Sequence, residues 1–372
     1  MLGGRNIVTG YHHRPKPGDF SAGYTLIEIL VTLAVFGIIM SGLYAAYIPQ
    51  LKHTGREYRI AEGEVELGIF KKMIERDLNL AGFGLADDYA GAGFAPRPIS
   101  ATNSDSAPDV LLLAGTALGT SSRASSSWSY ISDAGDSGFS PNPPQNQIWN
   151  DGREDLQTDD RVIIMEPTSK RLLTLNGEWL FTYLGSTAGS PLLENAVAGD
   201  DLVDNTEGTL IYGLGAAGAT ASLPYYAAEY RLGGTPPQSC APGTQSLLRA
   251  ESRDADPPPN SVRRPLLSCV LDFQVEFGLD TNEDGVLDTW DHGGATAASY
   301  DVPSLRRRLK QIRAYFLVQS GERDLDYFYP SSTVRTGDSS LGANGRVVTL
   351  SDEQRRYRWR VISVTVSPLN LR

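Results

Sequence analysis

The sequence predicts an α+β fold, one long N-terminal helix followed by a large domain of antiparallel strands. Three observations predict it. An apolar run from Tyr24 to Ile48, about 25 residues, is long enough as a helix to cross a hydrocarbon core of roughly 30 Å. An amphipathic helical pattern continues from Leu51 to Ala81. Beyond residue 85 the chain turns to short β-branched and aromatic runs separated by Gly, Pro, Asn and Asp.

Residues 1–23 read as a polar leader. It carries Arg5, Arg14, Lys16 and Asp19, a net +2 against −11 for the whole chain, so the remainder carries −13. That acidity argues against a nucleic-acid partner, which takes clustered Lys and Arg. A basic leader ahead of a membrane-length helix places the bulk of the chain across the membrane by the positive-inside rule. Residues 24–48 form the membrane-length segment and 49–84 its amphipathic continuation, with Pro49 expected to kink or open the helix. Ile60, Leu67, Phe70, Ile74 and Leu78 make one apolar stripe, and Val65, Ile69 and Met73 a second beside it. Gly82 and Gly84 supply the stop.

Residues 85–372 read as one extracytoplasmic, β-rich domain. Its strand candidates are Pro108–Leu113, Arg161–Met165, Thr209–Tyr212, Tyr225–Leu232, Ile312–Val318 and Val361–Val366. Arg171–Leu184 reads as a hairpin around Asn176-Gly177, a type I′ signal. Cys269, Leu271, Phe273, Val275 and Phe277 alternate with Asp272, Gln274 and Glu276, which predicts a strand with one buried and one solvent face. The stretch 117–151 is expected to be a loop-rich insertion, with Trp128, Tyr130 and Trp149 as candidate ligand-binding aromatics. In an oxidising compartment Cys240 and Cys269 are expected to form one disulfide, worth about 3 kcal/mol in the chain-entropy model, the alternative being two buried thiols.

Within the apolar run one charge stands out, Glu28. A carboxylate at membrane depth costs roughly 2.5–3.5 kcal/mol on insertion scales, so it calls for a partner. Cleavage after Gly23 would supply one, the new amino group of Tyr24. Gly23-Tyr24-Thr25-Leu26-Ile27-Glu28 ahead of an apolar helix resembles the processing site of type IV prepilins and type II secretion pseudopilins, although Tyr24 stands where Phe or Met is usual. The resemblance implies cleavage between Gly23 and Tyr24 by a prepilin peptidase, N-methylation of Tyr24, and Glu28 as the assembly glutamate.

Two further stretches, Ile74–Gly84 and Arg355–Asn370, resemble the PilW-type minor pilins. They imply a pilin-type helix packed on the sheet and a minor subunit of a type IV pilus acting in assembly, priming or at the tip. They further imply an inner-membrane, single-pass protein that reaches the cell-surface pilus. Its partners would be the prepilin peptidase, other minor and major pilins and the inner-membrane assembly platform. A type II secretion pseudopilin and a tip adhesin are the alternatives.

One local motif points to a metal. Asp280, Asn282, Asp284, Asp288 and Asp291 fall at positions 1, 3, 5, 9 and 12 of a 12-residue loop, with Gly285 at 6 and the Val286 carbonyl at 7, the EF-hand register for Ca2+. The Gly213–Gly218 run lacks the helix that a dinucleotide site needs. The basic run Arg306-Arg307-Arg308-Leu309-Lys310 reads as a solvated face. With only His53 and His292 after the leader, and neither placed beside a nucleophile by any motif, no catalytic set is expected and the chain reads as a non-enzyme.

Overall fold

The computed structural model describes residues 24–91, 93–102, 107–133, 145–185, 193–194, 207–292, 294–338 and 345–371. Two compact units divide the chain, residues 1–57 and 58–372. In the first unit the described residues from Leu26 onward are helical, part of helix α1 (Leu26–Leu80). Helix α1 continues through Pro49, which removes one N–H donor from its hydrogen-bond ladder.

In the second unit α1 runs from Tyr58 to Leu80, and Leu67, Phe70, Ile74 and Leu78, at spacings of three and four, are buried. The adjacent stripe is different. Val65 and Ile69 are 64% and 62% exposed and Met73 is half-buried, because only one arc of the helix meets the sheet. The helix ends where Gly82 takes φ +82°, a left-handed C-cap conformation that favours glycine. A Cβ there would lie 2.3 Å from Leu371, and Asn370 Nδ2 donates to the Asn79 carbonyl at 2.6 Å. The 370–371 segment therefore satisfies one of the orphan carbonyls of the helix end.

The strands are β1 (Ile99–Thr102), β2 (Val110–Gly115), β3 (Trp128–Asp133), β4 (Gln145–Asn146), β5 (Arg161–Met165), β6 (Phe181–Thr182), β7 (Leu210–Gly215), β8 (Tyr226–Gly233), β9 (Gln245–Ser252), β10 (Arg264–Leu279), β11 (Thr289–His292), β12 (Leu309–Ser320), β13 (Thr333–Thr336), β14 (Arg346–Thr349) and β15 (Arg358–Val366). Short helices α2 (Ala295–Ser299) and α3 (Val302–Arg308) join β11 to β12. An eight-stranded antiparallel sheet runs β1-β2-β8-β9-β10-β12-β15, with β11 also paired to β10. A second sheet runs β4-β3-β7-β5-β6, and β13–β14 is a separate hairpin.

The core lies between α1 and the large sheet. Phe70 meets Phe316 edge-on at 4.7 Å, and Phe316 stacks on Phe273 at 4.8 Å. Together the two contacts join helix, β12 and β10 in one apolar layer.

Three further expectations change. The stretch 117–151 contributes β3 and β4 to the second sheet, so its described part is not a loop-rich insertion. The Asn176-Gly177 turn is present, with φ 52° and 85°, but its arms are held only by isolated bridges and the two-residue β6. On β10, the row expected to face solvent is buried: Asp272, Gln274 and Glu276 are covered as fully as Phe273 and Val275. The β13–β14 hairpin lies over that row, with Arg346 Nη1 2.5 Å from Asp272 Oδ1 and the Asp338 N–H 3.2 Å from Glu276 Oε1. Alternation alone could not show a hairpin arriving from 62–74 residues away.

Candidate functional site

Helix α1 begins at the residue pattern that the sequence singles out. Gly23 lies outside the described residues, so the cleavage position is represented by Tyr24 alone, 79% exposed. Thr25 precedes the helix, and the Glu28 N–H donates to the Thr25 carbonyl at 3.0 Å and reaches its Oγ1 at 3.4 Å. Thr25 and Glu28 thus occupy the N-cap and third positions, the spacing of a capping box. Glu28 lies in the first turn, where unpaired backbone N–H groups favour a negative charge. Leu26–Ile48 is 23 residues long, apolar enough to cross a membrane, and its best span buries nothing against the protein. Between Tyr24 and Leu51, Glu28 is the sole charged side chain.

The helix's other half is fastened to the sheet by a buried polar clamp. Asp77 sits between Ile74 and Leu78 on the inward arc and is 0% exposed. Its Oδ2 accepts from Arg249 Nε at 2.7 Å and from the Tyr230 hydroxyl at 2.7 Å. Arg249, 6% exposed on β9, also donates to the Leu118 carbonyl at 2.7 Å and pairs with Glu251. Burial, and after it the Asp77 charge, push the Tyr230 phenol well above its usual range, so it remains a donor. Burial pushes the Glu251 carboxyl up, but the Arg249 guanidinium and the Thr120 donors outweigh it and hold Glu251 below the ordinary glutamate range.

Beyond the clamp, residues 237–370 contain β9, β10, β12 and β15, all four of which line up side by side in the large sheet. The predicted disulfide Cys240–Cys269 is formed, with Cα atoms 5.0 Å apart. Residues 237–370 match the family described as Type IV Pilus-assembly protein W, and residues 20–44 match the prokaryotic N-terminal methylation motif. Over those residues the chain is similar to pilins of the PilW type. Its N-terminus is prepilin-like. Among solved structures it is similar to the type IV-like pilin TTHA1219 from Thermus thermophilus, at 11% identity and a TM-score of 0.34 over 83% of this chain and 97% of that one. No curated protein matches it.

The other candidate residues fall out differently. Asp280, Asn282, Asp284 and Asp288 are gathered in one tight turn. Asp280 accepts from the N–H groups of Asp284 (3.1 Å) and Gly285 (2.8 Å), Asn282 Oδ1 from Asp284 N–H (3.0 Å), and Asp284 Oδ1 from Val286 N–H (2.8 Å). Asp288 Oδ2 accepts from Thr281 N–H and Oγ1 and from Asn282 N–H. Two facts break the six-ligand register. Asp291, its last member, lies on β11 opposite Phe277 and accepts from the Ala297 N–H at 2.7 Å. Asp280, its first, already faces the Lys310 ammonium at 3.1 Å. Among the described residues no three His, Cys, Asp or Glu side chains are arranged to hold a metal ion. The donor set expected for Ca2+ is therefore not assembled.

The aromatic candidates Trp128, Tyr130 and Trp149 are half-buried and pack against one another. Trp128 lies 4.4 Å from Trp149 and stacks with Tyr212, which meets Phe83 edge-on, and Trp149 Nε1 donates to the Trp128 carbonyl at 2.6 Å. These rings tie the second sheet to the turn after α1. The glycine run has a packing role as well: a Cβ at Gly213 would lie 2.0 Å from the Ala124 carbonyl oxygen. Sequence reasoning missed Asp77, Arg249 and Tyr230. The one available signal was an aspartate inside an apolar helical arc.

Proposed function

We propose that this chain is a minor pilin subunit of a type IV pilus, acting in assembly and priming or at the tip. A prepilin peptidase cuts between Gly23 and Tyr24, and Tyr24 is methylated. Residues 24–48 then hold the subunit in the inner membrane, with the β-rich part outside the cytoplasm, until it meets other minor and major pilins at the assembly platform. The observation that carries this reading is the lone carboxylate of Glu28 in the first turn of an otherwise apolar, exposed segment.

In a bundle of such helices an unpaired carboxylate is penalised by several kcal/mol. The freed Tyr24 amine of a neighbour, or the N-terminus of another pilin, removes that penalty only in one register. Glu28 thereby selects correct stacking during assembly. The bulk of the β-rich part favours a tip or priming position over repetition along a shaft.

Glu28→Ala tests this. The variant is expected to enter the membrane normally and to be missing from sheared fibres, and normal incorporation of Glu28→Ala overturns the reading. Incorporation into a secretion pseudopilus instead of a pilus would assign the alternative system. The mass of the mature N-terminus checks processing, with one methyl group on Tyr24 expected.

A further inference from the structure

We propose that the Asp280–Asp291 loop is closed by the protein's own cations, the Lys310 ammonium standing where a loop of this register would hold a metal ion, so that this part of the chain folds without calcium. The acidic loop and the basic run 306–310 look unrelated in the sequence, yet in the structure they bind each other. Lys310 Nζ is 3.1 Å from Asp280 Oδ2 and donates to the Arg307 carbonyl at 2.8 Å. Glu283, at position 4 and outside the ligand register, takes Arg308 Nη2 at 2.8 Å and Arg307 Nε at 3.4 Å. Arg308 also donates to the Thr281 carbonyl, and its own carbonyl accepts from the Asp280 N–H at 2.8 Å. Arg306 turns the other way, to Asp87.

A register shift aims the lysine. Gly278 pairs with Gln311, but Leu279 pairs with Leu309, which leaves Lys310 as the extra residue of a bulge. Bulges redirect side chains in this way. A metal ion at the loop would face two penalties: a second cation beside the Lys310 ammonium, about 3 Å from the same carboxylate, and extraction of Asp291 from its bond to the Ala297 N–H. The interaction also leaves Arg307 and Arg308 engaged with Glu283, so the basic run does not present a free anion-binding face.

The test uses the full chain in detergent, with hydrogen exchange of the 280–288 amides read by mass spectrometry in EGTA and in about 5 mM calcium chloride. Wild-type exchange is expected to be the same in both. Lys310→Met is expected to speed loop exchange by about tenfold or more while β8 and β9 amides stay protected, and Lys310→Arg to restore protection. Glu283→Gln, which removes the carboxylate charge shared by Arg307 and Arg308 without touching Lys310, is expected to speed the same amides. Calcium-dependent protection in the wild type, or unchanged loop exchange in both Lys310→Met and Glu283→Gln, overturns the proposal.

Discussion

Replacing Asp77 with alanine tests whether the buried clamp fastens α1 to the sheet. The substitution leaves the Arg249 guanidinium, 6% exposed, without its helix partner and the fully buried Tyr230 hydroxyl without an acceptor. Breaking a buried ion pair from one side costs about 3–5 kcal/mol, and an orphaned hydroxyl about 1–3 kcal/mol. Both penalties fall on the same two donors, and the Leu118 carbonyl and Glu251 still hold Arg249, so the sum is about 4 kcal/mol. Unfolding entropy of about 2.1 cal/mol/K per residue over residues 58–372 gives about 0.66 kcal/mol per degree, hence a fall in Tm of about 6 °C.

The assay is thermal unfolding of the full chain in detergent, followed by circular dichroism. Adding Arg249→Met to Asp77→Ala is expected to recover part of the loss, because the uncompensated buried charge is gone. A loss below about 1 kcal/mol for Asp77→Ala, or a double variant worse than the sum of the two singles, would refute the account.

Opening the disulfide by Cys269→Ala is expected to cost about 3–4 kcal/mol, seen as a lower denaturant midpoint against the oxidised wild type. Arg360→Ala removes an exposed 2.6 Å pair with Glu64 and is expected to shift stability by no more than about 1 kcal/mol in the same titration. Gly213→Ala forces a methyl group onto the Ala124 carbonyl and is expected to destabilise by about 3 kcal/mol or to prevent folding, read from soluble yield and Tm. For pH, Glu251 has a depressed pKa in the folded state, so its contribution is fully present above the unfolded value near 4.3 and is lost as pH falls through the folded one. Tm is therefore expected to fall below about pH 4, and Glu251→Gln to flatten part of that acid limb.

Local, linear signals were legible in the sequence. The processing motif, the membrane-length run, the helix stop at Gly82 and the strand at Arg161–Met165 each depend on neighbours within a few residues. What escaped depends on distant ones. Gln245–Ser252 shows no clean alternation because Arg249 points inward to meet Asp77, 172 residues earlier, so β9 went unread. Asp272, Gln274 and Glu276 look like a solvent face until a hairpin from residues 333–349 covers them. The calcium register was right in spacing, but spacing carries no information about a lysine delivered by a bulge or an aspartate claimed by the start of α2. The disulfide was inferable because only two cysteines were available.

The close approach of Trp128 and Trp149 makes the protein its own optical probe. Indoles 4.4 Å apart couple their electronic transitions, and the resulting near-ultraviolet signal comes from the five-stranded sheet. Trp290, under the Arg313 guanidinium on β11, and Trp359 on β15 report from the eight-stranded sheet. With Trp179 replaced by Phe, melting curves recorded from the coupled pair and from Trp290 and Trp359 will coincide if the sheets come apart together and separate if one outlives the other.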